Sequence, residues 1–144
     1  MTTDAVPAAM PTLTLEGRAF LAAERFGVIA TIGSDGSPHQ AVVWYRLEGD
    51  EIVVNSAVGR RWPADLLRDP RTMLTVADGY RYVQMSGTVT VIEDQPIAQA
   101  DIAEMARRYH ADEPDEAEQL IRDRFTKQRR ISFRLRPTNI KEDL

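Results

Sequence analysis

The sequence contains no cysteine and only two histidines among its 144 residues. Without cysteine, disulfides, thiol nucleophiles and thiolate metal ligands are excluded. A zinc site would need both His39 and His110 together with carboxylates from distant segments of the chain. We interpret His39 instead as a half-exposed residue after a hairpin, and His110 as a residue at a helix C terminus, where the dipole favours a cation. We therefore predict no metal site, and the lack of cysteine suits the cytoplasmic location that we expect.

Long apolar runs and a surplus of positive charge are also missing. The sequence has no run of about 18 apolar residues, so it predicts no membrane-spanning segment. The net charge of -4 and a pI near 5.2 argue against a nucleic-acid partner, which needs a broadly basic face. Residues 1–14 lack the basic start and apolar core of a secretion signal. We predict a flexible leader there, followed by a single domain over residues 15–144.

The common motifs for nucleotide binding and for catalysis by side chains are absent as well. Neither G-x-x-x-x-G-K-[ST] nor G-x-G-x-x-G occurs. No serine sits in a nucleophile elbow, and the spacing indicates no His–Asp pair. The carboxylates between Asp112 and Glu118 are typical of a solvated helix start, because catalytic acids need burial to shift their pKa. We therefore assign no catalytic side chain and expect a bound organic cofactor to supply any redox chemistry.

What the sequence does have is a succession of β-rich segments, at residues 26–32, 39–47, 52–56, 72–77, 82–92 and 131–135. Asp35-Gly36 between the first two predicts a hairpin, because both residues tolerate positive φ. The uninterrupted run Ala41–Tyr45 predicts a strand buried on both faces, and Gly87 predicts a bulge or bend. Six strands joined mostly by tight turns predict a small antiparallel barrel, since a parallel sheet would alternate strands with helices.

Helical patterns occur before the first of these β-rich segments and before the last one. Thr14 is placed to cap a short helix over residues 15–23. Two later helices follow residue 95: Pro96 opens the first, and Asp115 with Glu118 forms a capping box for the second. The helices are therefore predicted to be peripheral to the barrel.

Two adjacent arginines lie where a predicted strand gives way to a predicted helix. Arg60 and Arg61 follow the β-rich residues 52–56 and precede Pro63, which we take as the first residue of a short helix. Guanidinium groups form forked hydrogen bonds with phosphate, and a helix start adds free N–H donors. A second basic cluster occupies residues 127–130. The pattern indicates an anion site at the edge of a β structure.

Alternatives stay open for this segment. Arginines at such a turn also form surface ion pairs, here with Asp65 or Asp69, that contribute little to stability. Trp62, beside them, could stack on a flat ligand or could belong to the hydrophobic core. Both interpretations fit the sequence alone.

Taken together, these features resemble the flavin and deazaflavin oxidoreductases of the split β-barrel fold, which are related to pyridoxamine 5′-phosphate oxidase. The resemblance runs through FGVIATIGSDGSPHQAVVWYRLEGDEIVVNSA, GRRWPADLLRDPR and RRISFRLRPTNI, nearly the whole chain. The middle segment is the most specific. The chain is most similar to the branch that uses the deazaflavin coenzyme F420 rather than FMN. The resemblance implies a Greek-key split barrel and a homodimer with two cofactors in grooves between the subunits.

The resemblance also implies which residues bind the cofactor. The phosphate-bearing tail would lie near the residues around the arginine pair: Asn55, Ser56, Arg60, Arg61 and Trp62. The ring system would lie along the second strand, near Gln40, Ala41, Val42 and Val43. A basic pair of some relatives corresponds to Arg129 and Arg130, which would meet the anionic tail. Residues of the partner subunit would close the groove, among them Gly79, Tyr80 and Arg81.

One position departs from the family pattern. Many relatives carry a lysine two residues after the first arginine, where this chain has Trp62, and the lost charge is less favourable for FMN phosphate. The implied function is hydride transfer between reduced F420 and a conjugated small molecule, such as a quinone or a tetrapyrrole like biliverdin. The chain would orient the two reactants rather than supply an acid or base. The alternatives are an FMN-dependent oxidoreductase, a non-enzymatic flavin- or deazaflavin-binding protein, and a dimeric barrel without a ligand.

Overall fold

The computed structural model describes residues 10–144, so residues 1–9 of the predicted leader lie outside the described residues. Seven antiparallel strands form one sheet, with β1 at Gly27–Ile32, β2 at Pro38–Val43, β3 at Arg46–Glu48, β4 at Glu51–Ala57, β5 at Arg71–Asp78, β6 at Arg81–Ile92 and β7 at Arg130–Asp143. The helices are α1 at Leu15–Ala22, α2 at Arg61–Arg68, α3 at Gln95–Tyr109 and α4 at Pro114–Asp123, and a 3-10 turn spans Phe125–Lys127. Within residues 10–144, no helix combines the length and the apolar character that crossing a membrane requires.

The order of the strands explains how the sheet closes. Neighbouring strands run β2-β1-β5-β6-β7-β4-β3, so β2 and β3 are its two edges. Only Trp44 and Tyr45 separate the end of β2 from the start of β3. Three Cα–Cα steps of about 3.8 Å hold these edges within about 11 Å of each other at that point. The sheet therefore curls into a barrel with a split, and the predicted split β-barrel is confirmed with seven strands instead of six.

The additional strand comes from the segment predicted as one return strand over residues 39–47. Its first part, β2, pairs with β1, whereas β3 pairs with β4 at the other edge. The expected burial of Ala41–Tyr45 on both faces is also wrong: Val43 and Tyr45 face the core, but Val42 is 70% exposed. An apolar run does not reveal that its two ends join opposite edges of a sheet.

Two hydrophobic clusters position the helices. The barrel interior holds the larger one, built from alternating strand residues such as Ile29, Leu74, Met85 and Phe133. A second cluster forms where α3 packs on the outer face of β4, and it contains Val53, Ile102, Met105, Ala106 and Phe125. Strand β4 is therefore buried on both faces: its inner face contacts the barrel core, and its outer face packs against α3.

The chain turns sharply between β4 and α2. Gly59 adopts a φ of 104°, in the region that favours glycine. Helix α2 begins at Arg61 with Arg60 as its N-cap residue, two residues before the predicted start at Pro63. Proline is accepted in this first turn because the N–H groups there have no partner within the helix.

Of the two predicted helix caps, the structure contains the one at α1 but not the one at α4. Thr14 caps α1 as predicted, since its Oγ1 accepts a 3.0 Å hydrogen bond from the N–H of Gly17. Helix α4 begins at Pro114 and has no side-chain cap. The capping box predicted from Asp115 and Glu118 is therefore wrong, because proline at the first turn sets the start instead.

Strands β6 and β7 form a long ladder with one irregularity. The register shifts between Ser86 and Gly87, which confirms the predicted bulge. A Cβ at Gly87 would lie 2.0 Å from the carbonyl oxygen of Arg136, so this close approach requires glycine. Strand β7 is much longer than the predicted residues 131–135. Its second half is largely exposed and lacks an apolar alternation, so the sequence did not indicate it.

Candidate functional site

A cavity of about 280 Å³ lies at the split in the barrel, between the end of β2, the outer face of β4, α3 and the 3-10 turn. The residues that line it are Val42, Trp44, Asn55, Ala57, Arg60, Ile102, Arg124, Phe125, Gln128 and Arg130. The link between the sheet edges thus forms one wall, and the helical segments that cover β4 form the other.

Strand pairing places the polar lining residues side by side. Asn55 is opposite Ser132, and Ala57 is opposite Arg130. Because side chains alternate between the faces of a strand, all four project from the outer face of the barrel. The small side chain of Ala57 leaves room beside it for the guanidinium of Arg130.

Arg130 is a buried cation with neutral partners. It is only 6% exposed, and its Nε donates to Oδ1 of Asn55 at 3.0 Å. Its Nη1 donates to Oε1 of Gln128 at 2.6 Å, and its guanidinium carbon lies 4.8 Å from the centre of the Phe125 ring. Burial, followed by the positive charges of Arg60 and Arg124, lowers the pKa of Arg130 to about 10. The protein therefore holds this charge in a place that disfavours it.

Two further arginines share the cavity with Arg130. Arg60 is the N-cap residue of α2, and Arg124 follows the last residue of α4. Among residues 10–144, none of the three arginines forms an ion pair with a carboxylate. Three positive charges around one cavity attract an anion, and forked guanidinium groups suit phosphate and carboxylate.

The acidic residues that were considered as partners of the adjacent arginines are engaged elsewhere. Asp65 binds Arg68 at 2.8 Å, and Asp69 binds Arg71 at 2.8 Å. The pairing of Arg60 or Arg61 with these carboxylates is therefore not found. This outcome favours the anion-site interpretation of the segment.

Aromatic rings form the apolar wall of the cavity. Trp44 and Phe125 meet edge to face, with ring centroids 6.3 Å apart and planes at 89°. Trp44 also stacks on Tyr109, with centroids 5.1 Å apart and planes at 7°. The hydroxyl of Tyr109 donates to the carbonyl oxygen of Arg25 at 2.6 Å, and burial raises its pKa. A fixed aromatic surface beside cationic groups suits a ligand that joins a flat ring to an anion.

The cavity brings together four of the predicted site residues: Val42, Asn55, Arg60 and Arg130. Three others are buried outside the cavity: Val43 and Trp62 in the core, and Ser56 on β4. The Trp62 ring lies 5.8 Å from the Phe133 ring, so the core interpretation of Trp62 holds. These three stay predictions as ligand-binding residues, and no side chain of theirs lines this cavity.

The remaining predicted residues lie at or near the surface, outside this cavity. Gln40 and Ala41 lie on β2, Arg61 opens α2, and Arg129 directly precedes β7. Gly79 and Tyr80 form the turn between β5 and β6, where Tyr80 is 99% exposed. A role for Gly79 and Tyr80 requires a second subunit, as the resemblance implies, and their place in a site stays a prediction.

Six residues that line the cavity were not predicted from the sequence: Trp44, Ala57, Ile102, Arg124, Phe125 and Gln128. Phe125 begins the 3-10 turn that follows α4. Arg124 and Gln128 flank that turn and line the cavity, whereas Lys127 within it does not. The sequence signal for these residues is the density of basic residues from 122 to 130. That density does not indicate which of them line the cavity.

The structure contains a His–Asp pair that the spacing in the sequence did not indicate. Nδ1 of His39 lies 2.7 Å from Oδ2 of Asp65. The pair joins β2 to α2 outside the cavity lining, and the two residues are 26 positions apart in the chain. No local spacing rule detects such a contact, because the fold alone brings the two elements together.

The residues present therefore fit a ligand with an anionic group and an aromatic ring. The fit rests on the buried guanidinium of Arg130, whose partners Asn55 and Gln128 are neutral. Sites that enclose a whole cofactor measure about 300–1,000 Å³, and this cavity is about 280 Å³. The cavity of one chain therefore lies just below the lower end of that range.

The chain matches a protein-family model over nearly all of its length. The model described as pyridoxamine 5′-phosphate oxidase matches residues 13–141. No curated protein sequence matches the chain.

Several solved structures are similar in fold. The conserved hypothetical protein Rv2991 from Mycobacterium tuberculosis is 26% identical, with a TM-score of 0.74 over 92% of this chain and 85% of that one. A protein named F420 reductase is 20% identical, with a TM-score of 0.69 over 96% of this chain and 100% of that one. The haem storage protein HutZ from Vibrio cholerae is 15% identical, with a TM-score of 0.67 over 92% and 95%. At such identities the last two similarities establish the fold alone.

Proposed function

Since the chain belongs to the pyridoxamine 5′-phosphate oxidase family, we propose that it is an F420-dependent oxidoreductase acting in the cytoplasm. The reaction is hydride transfer between the reduced deazaflavin and a conjugated small-molecule acceptor. Quinones and tetrapyrroles such as biliverdin are the acceptors that this chemistry suits. The fold similarity to a protein named F420 reductase agrees with the proposal.

The observation that carries the proposal is the convergence of Arg60, Arg124 and Arg130 on one cavity beside an aromatic wall. An uncompensated buried guanidinium weakens the folded state unless an anion binds there. A cofactor with a phosphate-bearing tail and a flat redox-active ring system meets both requirements of the site. A structural role alone gives no reason to gather three cations without a carboxylate.

In the proposed complex, the three arginines hold the anionic tail, and Trp44 with Val42 borders the ring system. Reduced F420, when bound, supplies the hydride. The chain's own residues contribute binding and orientation, because hydride transfer needs the donor and acceptor carbons in contact and in line. The buried side chains of Ile102 and Phe125 form an apolar wall of the cavity. They exclude water from that side of the anion and so strengthen its attraction to the arginines.

We propose that a second copy of the chain completes the site. The outer face of β2, β1 and β5 is apolar and exposed at Val42, Val28 and Met73, and exposed apolar patches mark interaction surfaces. These residues lie on adjoining strands of one face, since Val28 pairs with Val42 and Ala30 pairs with Met73. A homodimer would cover this patch and extend the cavity beyond what one chain supplies.

FMN is the alternative cofactor. Many relatives carry a lysine where this chain has Trp62, and Trp62 is buried in the core. The anion site therefore lacks that point charge, which favours F420 over FMN in our proposal. A non-enzymatic binding protein would show the same affinity without turnover.

Parallel equilibrium titrations with F420 and FMN, followed by fluorescence, test the proposal. We expect F420 to bind more tightly than FMN, and bound reduced F420 to be oxidised by at least one member of a panel of quinones and biliverdin. Tight FMN binding with weak F420 binding would replace F420 by FMN. Binding of F420 with no oxidation across the panel would identify a carrier, and binding of neither cofactor would refute the proposal.

A further inference from the structure

A chain of hydrogen bonds runs from the surface of the barrel to Arg130. Nη2 of Arg46 lies 3.1 Å from Oδ1 of Asp101, and the hydroxyl of Ser132 donates to Oδ2 of Asp101 at 2.7 Å. Nδ2 of Asn55 donates to Oγ of Ser132 at 2.8 Å. Oδ1 of Asn55 accepts from Nε of Arg130 at 3.0 Å. Asp101, Ser132 and Asn55 are all buried.

The carboxylate of Asp101 sets the direction of the bond from Ser132, and the carbonyl oxygen of Ala98 helps to orient Asn55. A carboxylate only accepts, so Ser132 must use its single proton to donate to Asp101. The hydroxyl oxygen of Ser132 then accepts from the amide group of Asn55. With Nδ2 committed to Ser132 and to the carbonyl oxygen of Ala98 at 2.9 Å, Asn55 presents its oxygen to Arg130. The guanidinium therefore meets an acceptor and not a second donor.

We propose that Asp101 is a positioning residue of the anion site, acting on Arg130 through Ser132 and Asn55. This inference rests on the proposed function only in taking the arginine cavity as the binding site for an anion. Asp101 does not line the cavity, so its effect on the ligand passes through the buried polar chain. The carboxylate also forms an ion pair with Arg46 at the far end of the chain of hydrogen bonds.

The variant Asp101→Asn tests the direction of the chain with almost no change in volume. The single amide oxygen should face Arg46, because a charged guanidinium can only donate. The NH2 group then faces Ser132, whose hydroxyl can no longer donate to residue 101. We expect the affinity of this variant for F420 and for inorganic pyrophosphate to fall about tenfold, the scale of one hydrogen bond to a charged group. The variant Ser132→Ala interrupts the chain while the Arg46–Asp101 pair stays intact, and we expect a similar loss.

A double-mutant cycle separates this role from general destabilisation. If Asp101 acts through Ser132, then adding Asp101→Asn to Ser132→Ala causes little further loss of affinity, whereas independent effects would multiply. Glu104→Gln is the matched control, because Glu104 also binds Arg46, at 2.8 Å, yet takes no part in the chain to Arg130. We expect this control to bind both anions as the wild type does.

The outcomes distinguish the inference from the proposed function. Tenfold weaker pyrophosphate binding in Asp101→Asn supports the inference whether or not F420 binds. Unchanged affinity of Asp101→Asn for the anions that the wild type binds overturns the inference alone. Losses that multiply in the double variant, or an equal loss in Glu104→Gln, overturn it as well. A wild type that binds neither pyrophosphate nor F420 overturns both.

Discussion

The hydroxyl of Tyr45 donates a 2.8 Å hydrogen bond to the carbonyl oxygen of Leu21, and so joins the split of the barrel to α1. Tyr45 is fully buried within the two-residue link between the sheet edges. Burial, reinforced by the neighbouring Tyr109, raises the pKa of Tyr45 to about 12. The folded state therefore keeps the phenol proton at an alkaline pH where the unfolded chain has lost it.

This shift predicts a loss of stability as the pH rises from about 10 to about 12. In that range the unfolded chain releases the proton near the ordinary tyrosine pKa of about 10, so the free energy of unfolding falls by at most about 1.4 kcal/mol per pH unit. Tyr45→Phe should remove this part of the slope. Denaturant unfolding at several alkaline pH values measures it, with the exposed Tyr80→Phe as control. An unchanged slope in Tyr45→Phe would contradict the assignment.

Asp65 predicts an effect at the acidic end. Its carboxylate is buried, which alone would raise its pKa, but hydrogen bonds from His39, Thr31 and Arg68 together hold the pKa below its usual value. The resulting stability is present above the ordinary aspartate pKa of about 4 and is lost as the pH falls through the folded-state pKa. Asp65→Asn should lower the free energy of unfolding at pH 7 by about 1–3 kcal/mol.

Chemical unfolding between pH 3 and pH 7 checks the Asp65 prediction. The wild type should lose this contribution on acidification, whereas Asp65→Asn should show a flatter dependence on pH. The exposed Asp115→Asn serves as control and should behave as the wild type does. Equal stability of Asp65→Asn and the wild type at pH 7 would show that the pair with His39 contributes nothing.

Arg124 provides a prediction that the sequence did not offer. Arg124→Ala should weaken F420 binding about tenfold or more, because a charge-assisted contact to the anion is lost. Arg122→Ala removes the same charge two positions earlier, where the side chain is exposed and lies outside the cavity. Fluorescence titration of both variants gives the comparison. Equal affinities in the two variants would remove Arg124 from the site.

The exposed apolar face predicts self-association. We expect the wild type to have a solution mass of twice the 16.2 kDa of one chain. Met73→Glu places a charge within the patch and should shift the protein towards monomers, since burying an unpaired charge is costly. Leu15→Glu, at an exposed position of α1, is the control. Analytical ultracentrifugation measures the masses, and a monomeric wild type would refute the dimer.

Local signals predicted much of this fold. The Asp35-Gly36 turn, the Thr14 cap and the Gly87 bulge each depend on neighbouring residues, and the structure contains all three. Asn55, Arg60 and Arg130 were expected at a shared site from the family resemblance, and they line one cavity. Where the cause of a structural feature lies within a few residues, the sequence reveals it, whereas the binding role of Asn55, Arg60 and Arg130 stays a prediction.

The features that were not predicted depend on distant parts of the chain. The segment after Val43 crosses to the opposite edge of the sheet, which depends on the curl of the whole barrel. His39 meets Asp65 only because β2 packs beside α2. Arg124 lines the cavity at the junction between α4 and a 3-10 turn, and a run of basic residues does not encode that placement. Tertiary packing therefore set the details of the site that local patterns left open.

The affinity of Arg130→Gln for F420, compared with that of the wild type, tests the central claim most directly. The change removes the buried charge while keeping a polar side chain beside Asn55, and Arg136→Gln on the exposed part of β7 is the matched control. We predict saturable binding by the wild type and the control, and an affinity at least about tenfold weaker in Arg130→Gln. Equal affinity in all three proteins would show that the arginine cavity does not hold the cofactor.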